Sequence, residues 1–178
     1  DETLTVTAIA VEHRDTASFG FVFGARGQRH FDAARAEALG VPPGPPRQRL
    51  THGEAVTLGN GRRVTPDEVL GPPEPGARLV VIGDAARTDN LVAHVRGADA
   101  LVIEATYCEA EAEKARAFGH ITATEAARLA VQADVGALWL THISARYRGP
   151  EIEAEARAVF PNARVAADFA RTQVFRRR

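Results

Sequence analysis

Methionine is missing from all 178 residues, position 1 included, which predicts that the sequence starts inside a longer gene product. A single cysteine, Cys108, excludes an internal disulfide and a cysteine-built zinc cage, and it suits a reducing, cytoplasmic compartment. No run of about 18 apolar residues occurs, so no transmembrane helix and no membrane partner is expected. The acidic, polar start Asp1-Glu2-Thr3 lacks the pattern of a signal peptide. Charge of either sign is not in excess: the formal net charge is -1, which does not advertise nucleic-acid binding. The Gly-x-x-x-x-Gly-Lys phosphate loop, the Gly-x-Ser-x-Gly elbow and the Gly-x-Gly-x-x-Gly fingerprint are all absent, which argues against nucleotide-dependent phosphoryl transfer and serine hydrolase chemistry. So are His-x-His, His-Glu-x-x-His and Cys-x-x-Cys. With 45% apolar and 25% charged residues, the chain is long and apolar enough to fold as one domain or a large part of one.

Residues Thr3 to Glu12 alternate apolar with polar or small side chains, the period of a half-buried strand, and Phe19 to Phe23 reads as its partner. A short helix is expected from Asp32 to Leu39, stopped by Gly40. The run Val41-Pro42-Pro43-Gly44-Pro45-Pro46 predicts a stiff segment that is neither helix nor central strand. Ala55 to Leu58 and Arg62 to Val64 flank Gly59-Asn60-Gly61 as a hairpin, and Gly71 to Gly76 reads as a second stiff connector. From Ala77 the rhythm changes. Strands are expected at Leu79 to Ile82, Ala100 to Ile103, Ala137 to Leu140 and near Val165, with helices at Asp89 to Val95, Glu109 to Phe118, Thr122 to Ala133 and Glu151 to Val159. Strands alternating with helices indicate an α/β fold with a sheet largely buried by helices. Residues 24–76 break this rhythm and read as a long insertion projecting from the core. No internal repeat occurs.

Ionisable residues gather where apolar strands stop. His13 closes the first strand, Asp84 follows Leu-Val-Val-Ile-Gly, Glu104 follows Ala-Leu-Val-Ile, and His142 follows Ala-Leu-Trp-Leu-Thr. His120 sits in a Gly-His loop before a helix. Ligand sites of open α/β sheets lie at the carboxyl ends of strands, so three histidines and two acids there suit a metal or acid–base cluster. Each residue also has a plainer reading. Asp84 could cap the following helix. His142 could be a buried histidine with its hydrogen bonds satisfied, and His13 an exposed strand end. Glu104 could pair with an arginine, and His120 could be a loop residue near a helix start.

Taken in order, these motifs resemble the C-terminal half of the ribonuclease Z family, the tRNA 3′-processing endonucleases of the metallo-β-lactamase superfamily. Leu140-Thr141-His142-Ile143-Ser144-Ala145-Arg146-Tyr147 is similar to that family's Leu-Thr-His-Phe/Ile-Ser-x-Arg-Tyr segment. Gly83-Asp84 resembles its Gly-Asp-Thr motif, Glu104-Ala105-Thr106 its His-Glu-Ala-Thr motif, and His120-Ile121-Thr122 its His-Ser-Thr motif. His13 followed by Phe19-Gly20-Phe21 resembles its His…Phe-Gly-Tyr segment. Gly40-Val41-Pro42-Pro43-Gly44-Pro45 looks like the Gly-Pro element of its tRNA-gripping arm. The resemblance covers essentially the whole chain. Ala85, Ile103 and Ile121 depart from the pattern, standing where the family has Thr, His and Ser.

The resemblance implies half of an αββα sandwich over residues 1–178, with residues 24–76 as an inserted tRNA-binding arm. It implies two zinc ions per complete site. His13 and His142 would each ligate one, Asp84 would bridge them at roughly 3.5–4 Å separation, and Glu104 with His120 would form the catalytic proton-shuttle pair. The family's His-x-His-x-Asp-His motif belongs to an N-terminal half absent here. Three ligands cannot fill two coordination spheres, so this chain alone is expected to be inactive and to bind zinc weakly or as a single ion. The arm carries Arg26, Arg29, Arg35, Arg47 and Arg49 against Asp32 and Glu37. Arg26, Arg29, Arg47 and Arg49, with the stiff Gly44 and Pro45, are the candidate contacts to precursor tRNA, and Arg176-Arg177-Arg178 could add a nonspecific one. The missing half, a partner chain or a homodimer mate is expected against the exposed face of the sheet. A catalytically silent half-domain binding RNA or a partner, and another phosphodiesterase of the same fold, are the alternatives.

Overall fold

A computed structural model describes residues 4–14 and 16–177. The acidic start at Asp1-Glu2-Thr3, the first residue of the expected opening strand and Arg178 of the terminal arginine run lie outside the described residues. The chain divides into two compact units, one formed by Gly27–Gly76 and the other by the stretches that flank it.

The larger unit is built on a six-stranded sheet of order β1-β2-β7-β8-β9-β10. β1 (Leu4–His13) and β2 (Thr16–Ala25) form an antiparallel hairpin, and β2 pairs antiparallel with β7 (Arg78–Ile82). β7, β8 (Ala100–Glu104), β9 (Leu138–Thr141) and β10 (Ala163–Val165) are parallel. β1 and β7 are each antiparallel to β2, so β1, β7, β8 and β9 all run the same way and their carboxyl ends share one edge. That edge receives His13, Asp84, Glu104 and His142.

Register separates two faces. Ile9, Val11, Val80, Ile82, Leu101, Ile103, Leu138 and Leu140 point to one side and are buried with residues of α5 (Ala123–Gln132) and α6 (Gly149–Val159). Gly20 lies on this side, and a Cβ there would meet Ile9 and Ile82 at 3.0–3.2 Å, so that one of these side chains would have to give. α5 starts on a capping box: Thr122 accepts the Glu125 N–H at 3.1 Å and the Glu125 carboxylate accepts the Thr122 N–H at 2.8 Å. The opposite face carries Leu4, Val6, Phe19 and Phe21, all exposed, beside half-buried Phe23, Val81, Val102 and Trp139. Helices therefore cover only one face. This agrees with the half-sandwich and exposed sheet face that the resemblance implies, whereas the expectation from the strand–helix rhythm of a sheet largely buried by helices holds on one side only.

The smaller unit, Gly27–Gly76, has its own core of Ala36, Val41, Leu50, Val56, Val64 and Val69. β3 (Gln28–Phe31) pairs with β6 (Leu70–Glu74), and β4 (Val56–Thr57) with β5 (Arg63–Val64). α1 (Ala33–Ala38) is capped by Asp32, which accepts the Arg35 N–H at 2.8 Å. Two sequence expectations are corrected here. The proline-rich run is not helix-free: α2 (Pro45–Thr51) begins inside it, with Gly44 at φ +96° before it and prolines in the first turn, where a missing N–H costs nothing. Gly71 to Glu74 is strand rather than connector, tolerated because a two-stranded ribbon leaves each strand an open edge for proline. Elsewhere the expected helix from Asp89 contracts to α3 (Val92–Val95). Glu109–Glu111 forms a 3₁₀ turn before α4 (Ala112–Phe118). Among the described residues no helix is long and apolar enough to cross a membrane.

Candidate metal and acid–base site

Five of the ionisable residues singled out from the sequence meet at the carboxyl edge of the sheet. His13 Nε2 lies 3.9 Å from Asp84 Oδ2, and His142 Nε2 lies 3.5 Å from Asp84 Oδ1. The Asp84 carboxylate thus turns one oxygen to each histidine. The ring of His120 is 5.2 Å from that of His13 and 5.1 Å from that of His142, centroid to centroid. His13, Asp84 and His120 each offer one donor atom within 4.8 Å of the others.

Each side chain is aimed by a specific partner. The Gly119 carbonyl, which can only accept, takes a hydrogen bond from His13 Nδ1 at 2.7 Å. The proton of neutral His13 is therefore on Nδ1 and the lone pair on Nε2, toward Asp84. Gly119 itself closes α4 in the left-handed region, φ +75°, and a Cβ there would strike Arg14. His120 Nδ1 meets both oxygens of Glu104, at 3.0 and 3.1 Å, which leaves Nε2 as the free ring nitrogen. His142 follows β9 in the left-handed region at φ +52°, an uncommon conformation for a residue with a Cβ. That turn lifts its side chain off the strand, and the side chain stays 52% exposed.

Glu104 is the buried centre of the arrangement, 1% exposed. It accepts the Ala85 N–H at 2.7 Å and a longer contact from the Ile121 N–H at 3.4 Å. Thr106 Oγ1 is within hydrogen-bond distance of Glu104 and of the His142 carbonyl, the latter at 2.9 Å. Backbone N–H groups beside Asp84 and beside His120 therefore converge on one carboxylate. The Ala85, Ile103 and Ile121 departures all lie in the apolar core. At two of them the backbone supplies the contact to Glu104, whatever the side chain.

Most of the plainer alternatives do not hold. Asp84 caps no helix, since α3 starts only at Val92. His142 is not buried. Glu104 meets a histidine rather than an arginine. His120 does lie just before the Thr122 cap, as a loop residue would, but its ring is also held in the cluster. Sequence reasoning missed the Gly119 carbonyl and the Ala85 N–H, because backbone groups leave no residue-type signal. Thr106 was visible as a motif residue, though not as the contact joining Glu104 to the His142 loop.

A second set of contacts braces the His142 loop. The Tyr147 hydroxyl donates to Glu111 Oε2, while Lys114 and Arg146 reach Glu111 Oε1 at 3.1 and 3.8 Å. The Glu111 carboxyl is held below its usual value, first by the Tyr147 hydroxyl and then by Lys114. Burial and the Glu111 contact push Tyr147 up to about 12.

The arginines of the smaller unit differ among themselves. Arg29 is used internally, pairing with Asp67 at 2.6 Å and donating to the Gly71 and Leu70 carbonyls. Arg47 donates to the Val41 carbonyl, and Arg49 pairs with Glu54 at 3.0 Å. Arg26, in the larger unit, is exposed. Gly44 and Pro45 form the start of α2.

No family model matches the chain. A ribonuclease Z from Bradyrhizobium sp. strain ORS 278 is 54% identical over 170 residues, which cover 96% of this chain and 56% of that protein. A metallo-β-lactamase fold protein from Bacillus subtilis superposes with a TM-score of 0.58 at 17% identity, covering 92% of this chain and 47% of the other. The short form of human tRNase Z gives 0.55 at 23% identity, with coverages of 98% and 44%. The chain spans about half the length of the curated relatives it matches.

Proposed function

We propose, for a chain that is homologous to ribonuclease Z over about half of that protein's length and has the metallo-β-lactamase fold, that it is the C-terminal portion of a zinc-dependent endoribonuclease. The substrate is precursor tRNA and the bond broken is the phosphodiester at the 3′ trailer. The observation that carries this reading is the convergence of His13, Asp84, His120 and His142 on one edge beside the buried Glu104.

The donor set fits a divalent cation of the zinc type. Imidazole nitrogens and a carboxylate are its ordinary ligands, and His13 and His120 already have Nδ1 committed elsewhere. His13 and His142 would each hold one of two ions, with Asp84 giving one oxygen to each. When bound, the metal acidifies an attacking water and offsets charge on the phosphoryl oxygens. The remaining ligands come from the part of the relatives' length that this chain does not span, in the same polypeptide or in a partner chain.

The chain's own residues supply the other half of the chemistry. The attacking water loses one proton to solvent as its oxygen bonds to phosphorus; as the bond from phosphorus to the 3′ oxygen breaks, His120 gives its proton to that leaving oxygen and takes another from solvent. Glu104 accepts from His120 Nδ1 and fixes the orientation of the ring. The products are a tRNA with a 3′ hydroxyl and a trailer with a 5′ phosphate. Arg26, Arg47 and Arg49, with the Gly44-Pro45 start of α2, contact the tRNA backbone. Arg29 holds the smaller unit together and contributes less. The open apolar face receives the missing half or a second copy.

The test is to incubate end-labelled precursor tRNA with zinc and this chain, alone and with the remaining portion of the Bradyrhizobium relative supplied in trans. Trailer release only in the mixture, lost with His120→Ala, is the expected result. No cleavage in the mixture, with both parts folded and associated, would refute the reading in favour of a silent module.

A further inference from the structure

We infer that the segment after β10, residues 168–177, is a tethered strand to which the polypeptide completing the site adds a strand of its own. The inference rests on reading the open face of the sheet as the place where that remaining portion docks. It goes on to name the segment that receives it and the mode of contact.

Three observations carry it. First, the segment lies over the open face. Ala170, Thr172 and Val174 line a cavity of about 230 Å³ together with Leu79, Val102 and Trp139, which belong to the side of the sheet that no helix covers. The segment thus roofs part of β7, β8 and β9, while Phe19 and Phe21 of β2 stay exposed beside it.

Second, the segment is tied at both ends. At the near end the Ala166 N–H donates to the Leu140 carbonyl at 2.9 Å. At the far end the Arg177 N–H donates to Asp99 Oδ1 at 2.8 Å, and the Arg176 guanidinium lies 3.3 Å from the same oxygen. Asp99 is buried, and its other oxygen accepts the Arg78 N–H at the start of β7 at 2.7 Å. Gly136 makes room for this tie, since a Cβ there would meet the Asp99 carbonyl at 2.5 Å and the Arg177 side chain at 2.7 Å.

Third, the backbone between the ties is unpaired. Among the described residues, no backbone hydrogen bond is made by residues 171–176, which belong to no helix or sheet. Phe169 and Phe175 are 101% and 72% exposed. Free N–H and carbonyl groups along such a segment are a template for strand addition, and apolar side chains beside them need cover. A segment already held at both ends loses little freedom on pairing. Pulling it away would instead strip a buried carboxylate of an N–H and a guanidinium, so the incoming portion builds on the segment rather than displacing it. The occupant is the part of the ribonuclease Z relative's length that lies beyond the 56% this chain covers.

The test mixes this chain with the remaining portion of the Bradyrhizobium relative, without added metal, and follows association and residue-level amide exchange. In the chain alone the amides of residues 171–176 should exchange at close to the rate of an unfolded peptide. In the mixture those at alternate positions should slow by at least about tenfold, the pattern of a strand paired along one edge. Gln173→Pro and Val174→Pro delete N–H groups that point to opposite edges. One of them should weaken association about tenfold and the other much less, with Gln173→Ala unchanged and circular dichroism confirming that each variant is folded. Association without protection of these amides overturns the inference while leaving docking on the open face standing. So does tighter association of a chain cut after Asp168, which would make the segment an obstacle. Protection that appears in the chain alone as its concentration rises would give the segment to a second copy and overturn the inference as well. Failure of the two portions to associate overturns both readings. If the proline variants do not fold, exchange in the unaltered chain decides.

Discussion

Replacing Glu104 with alanine removes the acceptor at the middle of the site, and its cost can be worked from the contacts. The Ala85 N–H, 2.7 Å from the carboxylate and fully buried, is left without a partner. A hydrogen bond to a charged acceptor is worth about 1.5–3 kcal/mol, and an orphaned buried donor costs about 1–3 kcal/mol, two measures of the same effect. The Thr106 hydroxyl can turn fully to the His142 carbonyl at 2.9 Å, and His120, 16% exposed, can reach water, so neither adds much. Removing the carboxylate also relieves its own desolvation, which offsets part of the destabilisation. The net expectation is about 1–2.5 kcal/mol less stability for Glu104→Ala, and about half of that for Glu104→Gln, which keeps the volume and one acceptor. Urea unfolding followed by the fluorescence of Trp139, the single tryptophan, measures both. An alanine variant within about 0.5 kcal/mol of the parent, or a glutamine variant as damaged as the alanine one, would refute the reasoning.

Other regions of the molecule give further expected outcomes. Burial works against ionised Asp99, yet the Arg177 and Arg78 N–H groups and then the Arg176 guanidinium outweigh it, so the carboxyl lies below its usual value. A depressed folded value means that its stabilisation is complete above the unfolded value of about 3.9 and disappears as pH falls through the folded one. Asp99→Asn should therefore show a shallower loss of stability below about pH 4 than the parent, and parallel acid titrations would count against this. The apolar face of Leu4, Val6, Phe19 and Phe21 should make the isolated chain self-associate, with the double change Phe19→Thr and Phe21→Thr shifting sedimentation toward monomer; a parent that sediments as monomer contradicts this. Changing Arg26, Arg47 and Arg49 together to alanine should weaken precursor tRNA binding by the assembled enzyme. Its salt dependence should flatten by about 0.7–0.9 for each phosphate that is no longer neutralised, with an unchanged slope as the opposing result.

Much of the fold was legible because apolar periodicity is local. The strand runs from Leu79, Ala100 and Ala137 and the helix from Thr122 were found to within a residue or two. The proline-rich elements misled, since proline forbids a helix interior but favours its first turn, and composition does not say which turn a proline occupies. Likewise, Asp89 to Val95 has helical character in sequence, but its helix is only Val92–Val95.

For the site, the amino-acid sequence by itself determined the set of chemical groups and their placement at the ends of apolar strands, because strand ends and residue types are both written locally. It also supplied the order of motifs on which the resemblance rests. Only the tertiary structure decided which groups face one another. His13 and Gly119 are 106 residues apart in the chain and 2.7 Å apart in space, and Glu104 gathers an N–H from beside Asp84 and the ring of His120. Which side of the sheet stays bare was decided there too. Alternation says that a strand has two faces, but only the packing of α5 and α6 on one of them leaves Phe19 and Phe21 exposed on the other. The reason is the same in both cases: long-range proximity depends on the register and direction of strands, and no local pattern carries that information.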